Sequence, residues 1–242
     1  MDPGHVLQRA REHTRHGRYE EALADFLWFH RNALEHDAAY YGVRLSFALA
    51  YWRELIGVFP RAGEVLQAVR DETASELLRG EGDSRDLFND ATAIDLELGR
   101  TKSTYELFVA LQTKEPVRAS ECADIALPCI VEAGDCDLAM QIVRDPEQYL
   151  LGASEQLNEN LGLRALPRAT ARIQRETFVN IYCEDVLLLL RILEGVGRAE
   201  WASAAKVWAV ALARSASVRR LVESQLAAQP DREHSEAQDA AA

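Results

Sequence analysis

Residues 17–26, GRYEEALADF, decide how the chain is read. Their glycine closes one amphipathic run, in which Val6, Leu7, Ala10 and Thr14 fall at helical spacing. It opens a second, in which Ala22, Phe26 and Phe29 do the same. A helix stops readily at a residue that can enter the left-handed region, and glycine does so without a Cβ clash. The arrangement recurs as GVFPRAGEVL from Gly57, GRTKSTYELF from Gly99, GDCDLAMQIV from Gly134 and GRAEWASAAK from Gly197. The intervals are 40, 42, 35 and 63 residues. A helix–turn–helix unit recurring at about 35–42 residues predicts an all-α fold built by stacking, with no strands.

The repeats also share a register. Five residues after each glycine stand Ala22, Ala62, Thr104, Ala139 and Ala202, small enough for two helices to approach closely. Nine and twelve residues after it the positions are mostly apolar, as in Phe26 and Phe29, Leu66 and Val69, or Phe108 and Leu111; the fifth unit departs at Lys206. Second helices carry start signals: Pro60 before Arg61, Asp135 as a cap, and Ser103 with Glu106 as a capping box. The long last interval predicts inserted helices, one or two over 146–163 after Pro146 and a long one from Pro167 to about Leu193. An apolar stretch over 201–228 follows, its stripe of Val218, Leu221, Val222 and Leu226 suited to capping a stack. The polar, alanine-rich tail 229–242 is expected to be disordered.

This register resembles the tetratricopeptide-repeat (TPR) family, in which a glycine ends the first helix, an aromatic follows two residues later and a small residue stands five after the glycine. Gly17-Arg18-Tyr19-Glu20-Glu21-Ala22 matches best. The resemblance covers about residues 4–145, with a degenerate pair near 178–215. Arg9 and His13 stand where leucine and tyrosine are common in the family, and the longer intervals exceed its period, so HEAT-like and other α-solenoids stay open. The resemblance implies a TPR-like helical-repeat solenoid of antiparallel helix pairs over 1–145, with 146–228 completing or capping it. It further implies that first helices line a concave face. Counting back from the glycines places Arg44, Phe47 and Tyr51 there in the second unit, Asp86, Asn89 and Ala93 in the third, and Glu121, Asp124 and Pro128 in the fourth. Such a groove changes from aromatic and mildly basic to acidic, and suits a protein or peptide segment with an apolar and a basic end.

Composition narrows the function classes. The 242 residues carry 27 basic and 39 acidic side chains, a net charge of −12, which disfavours nonspecific nucleic-acid or anionic-membrane binding. Residues 71–160 hold essentially all of the excess, as a solvated face or a field that steers a basic partner. No secretory signal opens the chain, and the most apolar window, 186–193, is too short to span a membrane, so a cytoplasmic protein is expected. Cys122, Cys129, Cys136 and Cys183 then read as reduced thiols. The preference for arginine over lysine reads as the genome composition of a GC-rich bacterium.

Catalytic and cofactor signatures are absent. Gly80-Glu81-Gly82 has neither a preceding strand nor a following lysine, no HExxH occurs, and Asp83, Asp86 and Asp90 lack the spacing of a calcium loop. His13 and His16 beside Glu12 and Glu20 read as turn-end histidines before metal ligands. Aromatics concentrate in the first 60 residues, and the adjacent pairs Trp28-Phe29 and Tyr51-Trp52 cannot both face one core. The leading expectation is therefore a non-enzymatic protein-interaction module without cofactor. Two alternatives are a small-molecule enzyme or ligand-binding bundle, its anion site in the C-terminal half at Asn158, Asn160, Arg164 and Arg168, and a homodimer on exposed Trp28 and Trp52.

Overall fold

The computed structural model describes residues 1–162 and 168–228, and every regular element among them is helical. Pro167 and the tail 229–242 lie outside the described residues. The chain divides into two compact units, residues 1–129 and 130–242. The division falls upstream of the boundary expected after residue 145.

Unit 1 contains α1 (Pro3–Arg15), α2 (Tyr19–His36), a 3₁₀ turn (Ala38–Tyr40), α3 (Tyr41–Leu45), α4 (Phe47–Val58), α5 (Arg61–Leu78), α6 (Ser84–Glu97), α7 (Thr101–Lys114) and most of α8 (Pro116–Glu132). Local chemistry sets many of these ends. Asp2 accepts from the His5 amide at 2.9 Å and Asp83 from the Asp86 amide at 2.9 Å, so each caps its helix. Gly17 ends α1 at φ 73°, where the Arg18 amide reaches back to the His13 carbonyl at 2.9 Å. α1 packs on α2, α5 on α6 and α6 on α7, while α4 touches α2, α5 and α6. Their shared core gathers Val6, Ala10, Ala22, Phe26, Phe29, Leu49, Trp52, Leu55 and Leu66, all buried. Phe88 and Phe108 meet edge-on between α6 and α7, with centroids 6.0 Å apart.

Three expectations are corrected here. Gly57 does not end its helix: it lies inside α4, which stops at Val58 because Pro60 lacks an amide hydrogen and forces Phe59 to an extended φ of −143°. The left-handed glycines of the next turn are Gly80 and Gly82, between α5 and α6. Ser103 caps nothing, since α7 already begins at Thr101 and Ser103 lies within its first turn. Finally, the first helix of the second pair is broken at Ser46 (φ −127°, ψ −90°), whose hydroxyl donates to the Gly42 carbonyl at 2.6 Å.

Unit 2 contains α9 (Cys136–Val143), α10 (Pro146–Gly162), α11 (Arg168–Gly195), α12 (Ala199–Leu212) and α13 (Ala216–Ala228). Asp135 caps α9 by accepting from the Leu138 amide at 3.1 Å. α11 is the central element and touches α9, α10, α12 and α13. Leu150, Leu157, Val179, Tyr182, Val186, Leu193, Ala209, Val222 and Leu226 fill this second core. The Tyr182 hydroxyl donates to the Ala209 carbonyl at 2.9 Å, which satisfies the one polar atom of a buried ring. α9 lies so close to α11 that a Cβ on Gly195 would come within 2.2 Å of the Cys136 sulfur. Within unit 2, α9 packs on α11. Among the described residues no helix is long and apolar enough to cross a membrane.

Candidate functional site

Three buried carboxylates stitch unit 1 together. Asp25 on α2 takes a two-pronged bond from Arg9 on α1, at 2.6 and 2.8 Å, with the His13 ring 3.4 Å away. Asp90 on α6 accepts at both carboxylate oxygens from one terminal nitrogen, Nη2, of Arg44 on α3. Asp95, fully buried on α6, is bound by Arg70 from α5 at 2.7–3.0 Å and by the Thr104 hydroxyl from α7 at 3.1 Å. Arg70 also reaches the Ser103 carbonyl at 2.9 Å. Burying a carboxylate is costly unless a cation accompanies it; each site supplies an arginine, and Thr104 adds a hydroxyl donor at Asp95. Arg9 and His13, which depart from the family pattern, are the residues that Asp25 engages.

Arg44 was expected to line a groove and does not. The break at Ser46 leaves it on a short helix whose side chain turns inward to Asp90, and only 6% of the residue is exposed. Its guanidinium also lies 3.3 Å from Nε2 of buried His30. Burial, with Arg44 and then Arg31 nearby, pushes the His30 pKa down to about 3. The ring is therefore neutral, accepts at Nε2 and carries its proton on Nδ1. Burial holds the Asp90 carboxyl above the usual range while Arg44 pulls the other way.

The other eight expected groove residues, Ala93 and Pro128 among them, reach the surface of unit 1. Phe47, at the start of α4, is 63% exposed. Tyr51 is half-buried beneath the Arg11 guanidinium, 3.8 Å from its ring centre. Asn89 donates to the Tyr41 hydroxyl at 2.9 Å. Burial raises the pKa of that hydroxyl, the Asn89 bond pulls it back, and exposed Asp86 and then Asp90 raise it further. Glu121 accepts from the Ser84 hydroxyl. Asp124 is gripped by both terminal nitrogens of Arg85 at 2.5 and 2.6 Å, which holds its carboxyl below the usual range. Arg85 also donates to the Glu121 carbonyl at 2.9 Å. Side-chain contacts thus run from α1 to α4, from α3 to α6 and from α6 to α8. The acidic end is weaker than a count of carboxylates suggests, because Arg85 neutralises Asp124.

Trp52 is not an exposed anchor: it is 1% exposed, stacks near Phe26 and donates from Nε1 to the Ala62 carbonyl at 3.0 Å. Trp28 is half-buried and stacks on His36, with centroids 5.6 Å apart. In the C-terminal half Asn158 is a structural clamp, donating to the Ser154 and Leu212 carbonyls at 2.7 and 3.1 Å. Asn160 stands apart from it on a shallow depression with Asp185, Arg164 lies outside the described residues, and Arg168 opens α11. The buried carboxylates were missed in the sequence because each interrupts an apolar helical face, and that interruption beside Phe26, Ala91 or Ile94 was the available signal. Compared with protein-family models, with curated proteins and with solved structures, the chain matches none.

Proposed function

We propose that unit 1 is a TPR-like stack of helix pairs that works by binding a protein segment rather than by catalysis. The observation that carries this reading is the ordered run of cross-contacts between first helices, Arg11 on Tyr51, Asn89 on Tyr41 and Arg85 on Asp124. Second helices are linked alongside them, α2 to α5 by Arg31–Glu72 and Arg61–Glu20, and α5 to α7 by direct packing. First helices side by side form one face, on which exposed Phe47 supplies an apolar anchor and Asp86 an uncompensated charge. Aromatic anchors flanked by charge are the usual carriers of binding energy and of partner choice. The partner segment is accordingly one with an apolar end and a basic end.

The test is capture from lysate on the immobilised full chain, identification of the bound protein, and repetition with purified partner. Phe47→Ala and the charge reversal Asp86→Arg with Glu121→Arg should each weaken binding at least tenfold, with helicity unchanged by circular dichroism. Binding undiminished in both variants would sink the proposal.

A further inference from the structure

Unit 2 holds a cavity of about 420 Å³ between α10, α11 and α13, large enough for a small organic ligand. Leu161 and Val218 form an apolar wall, and Arg175, Arg214 and Ser217 supply polar groups. Among the described residues no acidic side chain lines it. Other arginines of the chain, among them Arg9, Arg31, Arg44, Arg61, Arg70, Arg85 and Arg172, hold carboxylates. Among the described residues neither Arg175 nor Arg214 forms an ion pair.

The backbone that carries Arg214 is nevertheless held firmly. Asn158 accepts from the Arg214 amide at 3.0 Å and donates to the Leu212 carbonyl at 3.1 Å. Arg219 donates to the Ala213 carbonyl at 2.7 Å and to the Arg214 carbonyl at 3.3 Å. Two side chains therefore lock the turn between α12 and α13, while the guanidinium that the turn presents stays unpaired. A fixed backbone lowers the cost of ordering a ligand-binding side chain.

We propose that this cavity binds a small organic phosphate, its dianionic head held by Arg175 and Arg214 and its carbon portion packed on Leu161 and Val218. Two guanidiniums balance the two charges of a phosphate monoester, and their planar forks match its oxygens. The site lies wholly within unit 2 and is independent of the interaction face in unit 1.

Titration calorimetry of the full chain with phenyl phosphate tests it. Saturable binding to one site is expected. Arg175→Gln and Arg214→Gln should each weaken it at least tenfold, while Arg172→Gln, which removes a guanidinium from the same helix, should leave it unchanged. Both probed side chains are exposed and unpaired, so the variants should keep wild-type helicity. Absence of saturable binding, or binding that survives both substitutions, overturns the site. Succinate binding as tightly as phenyl phosphate overturns the phosphate assignment.

Discussion

At the scale of single residues, unit 1 depends on polar groups that face inward. Asp90→Ala strips the buried Arg44 of its partner and should cost about 3–5 kcal/mol in urea unfolding, whereas Arg44→Met combined with Asp90→Leu should come close to the parent. His30 makes a pH prediction. The folded ring takes a proton only near pH 3 and the unfolded ring near 6.5, so between those values the unfolded chain binds more protons. Stability should therefore fall as pH drops through that window, with a slope of about 1.4 kcal/mol per pH unit at mid-window, and His30→Gln should flatten the fall. The thiols divide in the same way. Burial pushes Cys122 up to about 11 and Cys183 up to about 12, so half-buried Cys136 should react first with a disulfide reagent at neutral pH. These residues carry little local signature: an aspartate on a helix face looks the same in sequence whether it meets water or a guanidinium 46 positions away.

Helix ends are where the sequence is most readable. Gly17, Gly99, Gly134 and Gly197 all adopt the left-handed backbone expected of them. Gly57 does not, because a proline three residues on provides a stronger stop. Two substitutions should consequently differ in sign. Gly99→Ala, at φ 66°, should destabilise by about 1 kcal/mol, and Gly57→Ala, inside α4 with open space around a new Cβ, should stabilise by about 0.5 kcal/mol in thermal or urea melts. The break at Ser46 was not legible. Nothing in GVRLSFAL announces a stop, and the interruption coincides with the inward turn of Arg44 to Asp90. One tertiary contact thus turns inward the basic residue that repeat spacing leads us to expect on the surface.

For the whole molecule, a net charge of −12 sets two opposing salt responses. Screening relieves self-repulsion, so the melting temperature should rise by a few degrees between 0.05 and 0.5 M NaCl. Capture of a basic partner should weaken over the same range, which scattering or anisotropy on the purified pair would record. The helical class and most turn positions were readable from residues alone, because periodicity and glycine conformation depend on neighbours within a turn or two of chain. The packing of α9 on α11, the division at residue 129 and the occupied state of Arg44 and Asp124 came only with the folded chain. Those features are set by which distant side chains satisfy one another once water is excluded, and no local spacing encodes that choice.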